Sequence, residues 1–469
     1  MATPARSALD PLSELETGFH GTLVRPGQDG YEEARAVWNG MIDKRPRAVA
    51  RCGDVEDVVR AVDFARGYGW PLAVRGGGHN VAGLATSEGG LVIDLSAMNG
   101  VEVDLETRRA RVQGGAIWRD VDAATQPHGL AAPAGLVSET GVAGLTLGGG
   151  IGWLRRKYGL TCDNLVAAEL VTAGGERVVA SERENPELLW ALRGGGGNFG
   201  VVTTFEFELH PVGPEIAYAL VFYDGAQTVR GLRGFRELAR SLPDEIAPVL
   251  FTGAVPEAEG IPAEIVGKPM LAAAAVYVGP PEEGEERLRS LRDLATPLVD
   301  LSGRMPYVEI QRFLDEDYPR GRRYYWKSAT IGDLSDEVID IVVDFAARQP
   351  SPISTIDVWL MGGALRREPP GGAAYSGREA GFQVNPEADW DDPAMDDVNV
   401  GWARGIIEAL KPHTIGTYLN FPGMLEEGEQ QLRLSFGSHY ERLSQVKRRW
   451  DPNNLFRLNH NVPPAAEAV

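Results

Sequence analysis

Apolar residues in "DVEDVVRAVDFARGYG" (54–69) fall at Val55, Val58, Val59, Val62 and Phe64/Ala65, the three-and-four spacing of a helix with one buried side. Acidic residues open this run and a glycine closes it, so it predicts an amphipathic helix. The pattern then shortens. "PLAVR" and "LVIDLS" predict buried strands, and "GVEVDLETRRARVQGG" predicts a hairpin turning at Glu106-Thr107. A helix is expected between Ile117 and Thr125, and "LVAAELVTAGGERVVA" predicts two strands around Gly174-Gly175. A further helix and a long alternating strand end this half near Val212.

From about 215 to 415 glycine thins. Apolar strands ("AYALVFY", "MLAAAAVYVG", "ISTIDVWLMGGAL") alternate with charged helices ("GEERLRSLRDLA", "SDEVIDIVVDFAARQ"), which predicts a separate sheet covered by helices on one face. Residues 425–450 read as one amphipathic helix stopped at Asp451-Pro452, followed by extended "NNLFRLNHN" and a frayed tail over the last eight residues. The expectation is an α+β chain in three segments: 1–214, 215–415, and 416–469 returning to the first.

Composition narrows the function. A length of 469 residues exceeds what one core usually supports, so two packed domains are expected. A formal charge of −20 excludes a surface built for nucleic acid or an anionic membrane, and fits a small uncharged or cationic partner. No apolar run reaches the ~18 residues of a membrane span, and the N-terminus lacks a secretory apolar core, so a cytoplasmic protein is expected. Cys52 and Cys162 are too few for a disulfide framework, and seven scattered histidines offer no paired metal spacing.

The 57 glycines gather in three clusters, "RGGGHN", "TGVAGLTLGGGIG" and "RGGGGNFG". Bare backbone of this kind lets a phosphate or a flat ring approach closely, and three clusters together imply an extended ligand. "RGGGGNFG" lacks the Lys-Ser or Lys-Thr of a Walker loop. "TGVAGLTLGGGIG" is no clean G-x-G-x-x-G directly after a strand, although Glu169 lies about 20 residues on. His79 stands flush against the first cluster, and Arg75 beside it offers a charge for phosphate.

These segments, with "LVIDLSAMNGV", "GWLRRKYGL", "CDNLVAAELVTAGGE", "TYLNF" and "KRRWDPNNLFRLNHNV", are long and ordered, and from about residue 20 to 463 the chain resembles the berberine-bridge-enzyme-like branch of the vanillyl-alcohol-oxidase (PCMH-type) flavoproteins. The resemblance implies a PCMH-type FAD-binding domain of two α/β subdomains over 1–214, a substrate domain over 215–415, and FAD bonded covalently to His79. Many such proteins carry a second tether, a cysteine, at the position aligned with Val137; valine there implies a single bond. Cys162 is expected as a buried, unreactive thiol.

The same resemblance places Arg75, Gly76, Gly77, Gly78, His79 and Asn80 at the pyrophosphate and tether. It places Pro133, Gly135, Thr140, Gly141, Gly144, Gly149 and Gly152 along the dinucleotide, Val202 near the adenosine end, and Asn459 and Asn461 beside the ring. Thr140 is a candidate for controlling where dioxygen meets the reduced ring.

Oxidising an alcohol or amine carbon requires a base for the heteroatom proton. Tyr418, in a Y-x-N segment, and Asp357, which interrupts an apolar strand, are the candidates. Tyr324, Trp326 and Trp359 are expected to line a substrate cavity, with Lys327 or Arg322 available to an acidic substituent. The expected activity is that of an oxidase acting on a small substrate and dioxygen, in a monomer or homodimer. The apolar stretches "LAAAAVYVG" and "VLFTGAV" point to an aromatic or polyketide-like secondary metabolite. A flavin monooxygenase and a drug-sequestering resistance protein are the alternatives.

Overall fold

A computed structural model describes residues 10–466 of the chain. Near the N-terminus lies a four-stranded sheet ordered Thr22–Val24, Ala48–Arg51, Leu91–Asp94, Leu72–Arg75, with the last three strands parallel. Parallel strands are covered on both sides, which is why these read as continuous apolar runs. The expected helix is Val55–Tyr68. The Asp54 side chain accepts from Asp57 N at its start, and Gly69, at φ +66°, ends it.

Beside this sheet stands a five-stranded antiparallel sheet ordered Val101–Asp104, Arg109–Gln113, Val201–Glu208, Leu165–Val171, Arg177–Ser181. Both predicted hairpins are present in it.

The third sheet has ten strands and contains every strand from Glu215 to Gly416. At its centre, Val249–Ala254, Thr355–Leu360 and Phe382–Trp390 run side by side. Pro386 lacks an N–H in the middle of the third of these strands, and opposite it the neighbouring ladder splits into Arg323–Trp326 and Ala329–Ile331. Helices Thr228–Ala239, Gly284–Arg292, Asp336–Ala346 and Asp396–Leu410 cover one face, burying Phe235, Val338 and Ile406 against Leu250, Ile356 and Val384. The other face turns to the first half of the chain, where Trp359, Ala272 and Ala274 share a core with Ile151, Trp153 and Leu154.

Two expectations near the C-terminus need correction. The helix over 425–450 is two helices, Glu429–Phe436 and Tyr440–Trp450, broken at Gly437. That glycine has φ +51°, and a Cβ on it would lie 2.9 Å from Ser376 Oγ, so a tight turn against the loop replaces continuous helix. The tail is not frayed where it is described. Val462 is fully buried and Ala465 N donates to Ser444 O at 3.0 Å; residues 467–469 lie outside the described residues. Among the described residues no helix is long and apolar enough to cross a membrane.

Candidate active site

The three glycine clusters converge. Gly76–Asn80 leaves the end of strand Leu72–Arg75, Thr140–Gly148 wraps the short helix Val142–Leu147, and Gly196–Gly200 follows helix Pro186–Leu192. Together they wall one elongated cavity, closed by the C-terminal segment at Phe456–His460 and by Trp326, Asn420 and Phe421. Clusters one and two touch through bare backbone: a Cβ on Gly77 would lie 2.6 Å from Gly141 Cα. On Gly144 or Gly197 a Cβ would meet no protein atom, so a side chain there would enter the cavity instead.

The C-terminal wall is fixed by a buried cation. Lys447, fully buried, donates to Asn198 O (2.8 Å), Asp451 Oδ2 (2.7 Å) and Phe456 O (2.8 Å). Asn459 Nδ2 then donates to Gly197 O at 2.8 Å, while its Oδ1 is buried without a partner, as is Nε2 of His79 on the same cavity. Polar atoms orphaned beside a bare-backbone cradle fit an extended polar ligand such as a dinucleotide.

Of the expected cofactor residues, Gly76, Gly77, Gly78, His79 and Asn80 line the cavity, as do Thr140, Gly141 and Gly144, and Val202 and Asn459. Val137 also lines it. Pro133, Gly135, Gly149, Gly152 and Asn461 are not among the residues that line it. The Gly152 Cβ position is 2.0 Å from Ala134 O, and that of Gly149 is 2.8 Å from the Tyr375 ring, so these two glycines serve close packing of backbone. Arg75 differs from expectation: its guanidinium is buried against Asp94 (2.8 Å) and Ala36 O (3.2 Å) rather than offered to phosphate. The cation at the first cluster is Arg320, whose Nη2 lies 4.0 Å from the Gly78 Cβ position.

His79 is held by residues the sequence did not single out. Trp38 stacks on the imidazole at 4.3 Å and on Tyr324 at 3.6 Å. Asn39 Nδ2 donates to both Val81 O (2.7 Å) and Tyr324 O (2.8 Å), joining the glycine loop to the large sheet. Burial, and then the charge of Arg320, push the imidazole pKa down to about 3. The ring is neutral at physiological pH, and Nε2 is buried without a partner.

Neither proton-handling candidate lines the cavity: Tyr418 packs edge-on to the wall residue Phe421 with ring centres 5.4 Å apart, and Asp357 is linked to that ring through Trp359. Tyr418 Oη accepts from Gly150 N (3.2 Å), Ile151 N (3.2 Å) and Asn420 Nδ2 (2.9 Å), yet burial still pushes its pKa up to about 12. Asp357 shares a sheet face with Thr355 and Trp359, accepting from Thr355 Oγ1 (2.8 Å) and Trp359 Nε1 (3.1 Å). Burial raises it to about 6.

Trp326 lines the cavity, whereas Tyr324 is committed to Trp38 and, through its hydroxyl, to Pro319 O (2.6 Å). Trp359 packs against Phe421 at 5.9 Å behind the wall. Lys327 is tied to Glu427 and Arg322 to Asp391, so neither is free for an acidic substituent. The alanines of "LAAAAVYVG" are packed into the two cores, which removes them as pointers to the substrate.

Sequence comparison matches residues 46–181 to a family model described as an FAD binding domain, and residues 417–463 to one described as berberine and berberine like. An FAD-linked oxidoreductase of Dictyostelium discoideum is 30% identical over 462 residues, covering 97% of each chain. (R)-6-hydroxynicotine oxidase of Paenarthrobacter nicotinovorans is 30% identical over 480 residues, covering 96% of this chain and 99% of that one. The crystal structure of 6-hydroxy-D-nicotine oxidase from Arthrobacter nicotinovorans superposes with a TM-score of 0.85 at 29% identity, covering 95% of this chain and 98% of that one.

Proposed function

The chain belongs to the berberine-like FAD-linked oxidoreductases, and from that premise we propose that it is an oxidase of a small-molecule alcohol or amine, carrying FAD on a single covalent bond to His79 and returning the electrons to dioxygen as hydrogen peroxide. FAD, when bound, supplies the hydride acceptor and the route to dioxygen. The chain supplies position, exclusion of water and a place for the proton.

The observation that carries this reading is the placement of His79, which lines the cavity walled by the three glycine clusters with its Nε2 buried and unpartnered. Burial keeps the ring unprotonated, as a nitrogen that is to bond to carbon must be. Trp38 fixes the plane of the ring, and the glycines leave room at its edge. Valine at 137 presents no second nucleophile to the cavity.

Of the two bases, Asp357 fits better. A carboxyl near 6 is ionised at neutral pH and accepts a proton readily, whereas a phenol near 12 holds its own. Three N–H groups donate to Tyr418 Oη and favour its phenolate, but burial outweighs them, so the hydroxyl stays protonated at neutral pH and holds the turn at Gly150–Ile151.

An oxygen-electrode screen of alcohols and amines, repeated on Asp357→Asn, tests the reading. Oxygen uptake with peroxide release, lowered about 100-fold in the variant, is expected. Labelled oxygen appearing in the product would indicate a monooxygenase, and tight binding without uptake a sequestering protein.

A further inference from the structure

Four oxidisable rings meet where the two halves of the chain join. Trp326, at the end of strand Arg323–Trp326, lines the cavity walled by the glycine clusters. Trp38 lies edge-on to it at 5.0 Å and Tyr324 at 5.6 Å, and Tyr318 packs against it at 5.2 Å with the planes 80° apart. Trp38 and Tyr324 are fully buried. Tyr318 is partly exposed, on a loop whose Asp317, Pro319 and Arg320 are exposed, so one ring contact leads from the cavity wall to the surface.

The hydrogen bonds of these rings divide them into two pairs. Trp38 Nε1 donates to Tyr318 O at 2.9 Å and Tyr324 Oη to Pro319 O at 2.6 Å, and a backbone carbonyl does not take up a proton. Trp326 Nε1 donates instead to Asp389 Oδ1 at 2.6 Å, and Tyr318 Oη to Glu387 Oε2 at 3.1 Å. Glu387 in turn is hydrogen-bonded to Asp357. The two rings that lead outward are therefore the two that rest on carboxyls.

Asp357, Glu387 and Asp389 are at most 7% exposed and none of them lines the cavity, so their role lies with the groups they bond. Burial raises the proton affinity of all three, which suits them to receive a proton from a neighbour. A phenol that loses an electron becomes strongly acidic and persists as a neutral radical only if its proton can leave. An indole that loses an electron is stabilised by an acceptor on its N–H. Both conditions are met here, and Tyr324 and Trp38, bonded to carbonyls, meet neither as well.

We propose that Trp326 and Tyr318 form an outlet for oxidising equivalents, which carries a one-electron hole from the cavity to the surface and lodges it on Tyr318. The oxidant is the light-excited oxidised flavin, to which Trp326 gives one electron. Tyr318 then returns an electron to Trp326 and in the same step breaks its O–H bond, giving the proton to Glu387, which passes its own to Asp357. The net change is one electron from Tyr318 to the flavin and one proton from the phenol to the carboxyl pair, with Trp326 restored. Return of the electron to the Tyr318 radical, and of the proton from the pair, closes the cycle. The outlet draws the hole away from the rings clamped round His79. It rests on the reading that this cavity holds the FAD.

Flash photolysis of the substrate-free holoprotein, followed by transient absorption and by electron paramagnetic resonance of flash-frozen samples, tests the outlet. The unaltered protein is expected to form a neutral tyrosyl radical. Tyr318→Phe should lose that signal and leave an oxidised indole, whereas Trp326→Phe should lose both and lengthen the flavin fluorescence lifetime. Glu387→Gln should keep the indole signal and lose the tyrosyl one. Tyr318 is partly exposed and phenylalanine keeps its ring, so this variant reads the outlet even if Trp326→Phe does not fold. A tyrosyl radical that persists in Tyr318→Phe or is undiminished in Glu387→Gln, or a flavin lifetime unchanged in Trp326→Phe, would overturn the proposal, the first assigning the hole to the Trp38 and Tyr324 branch. The mass of the His79 peptide reads the cofactor separately. FAD on that peptide without a tyrosyl radical keeps the cofactor reading and removes the outlet, and a Tyr318 radical in protein whose FAD is dissociable keeps the outlet and removes the covalent bond.

Discussion

The indole of Trp38 lies against the imidazole of His79 with ring centres 4.3 Å apart and planes 19° from parallel, and its other face stacks on Tyr324. Trp38 is fully buried and its Nε1 donates to Tyr318 O at 2.9 Å, so the ring is clamped between the first glycine cluster and the large sheet. Trp38→Phe keeps a stacking face and loses one hydrogen bond, a cost of about 1 kcal/mol. It should remain largely flavinylated. Trp38→Ala removes the clamp at a cost of about 3–5 kcal/mol, and the protein that still folds should carry mostly dissociable FAD. Acid precipitation followed by absorbance of pellet and supernatant reads the two fractions directly.

Gly144 separates cofactor binding from fold stability. It lies inside the short helix Val142–Leu147, where alanine is favoured over glycine by about 1 kcal/mol, and its missing Cβ faces only the cavity. Gly144→Ala should therefore raise the melting temperature of cofactor-free protein and weaken FAD incorporation. A variant that takes up FAD normally would show that this wall does not face the cofactor.

Tyr418→Phe strands three N–H donors, from Gly150, Ile151 and Asn420, in a buried site. Each buried unpaired donor costs about 1–3 kcal/mol, so chemical denaturation should show a loss of at least about 2 kcal/mol. Asp357→Asn removes a buried charge and should be close to neutral for stability while lowering turnover. The split between the two variants is the expected signature of one structural and one catalytic residue.

Stability should depend on pH through three buried carboxyls. The groups facing Asp357 are Glu387 and Asp389, with the Tyr318 phenol on Glu387, and Arg322 acts on Asp389 from the sheet edge. Burial raises Asp357 to about 6 and the other two carboxyls further above their ordinary values. Groups with raised folded-state values take up protons on folding, so the ligand-free protein loses stability as pH rises from about 4 through the folded-state range. Chemical denaturation between about pH 4 and 8 should show the loss, and Glu387→Gln, which carries no ionisable group, should flatten it.

Regular periodicity carried most of the fold from the sequence, as in Val55–Tyr68 with its aspartate cap and in the paired strands around Gly174-Gly175. The glycine clusters were legible as a cavity wall because absent side chains are visible in a sequence. Trp38 was not legible: it sits in a stretch without period, and its partner Tyr318 lies 280 residues away. The buried polar row Gln383, Asn385, Glu387 and Asp389 was hidden for a different reason, since "FQVNPEADW" alternates as a half-exposed strand does, and only the fold shows that the polar side is buried as well. Arg75 was misread because Asp94, on the adjacent parallel strand, claims its charge.

The covalent bond at His79 is the centre of the functional reading, and peptide mass spectrometry tests it most directly. Trypsin should release Gly76–Arg108 from yellow, freshly purified protein. The expected result is that peptide heavier by one FAD, with the added mass on His79 after fragmentation and no flavin on Cys162. The same peptide recovered at its unmodified mass from cofactor-saturated protein would contradict the tether.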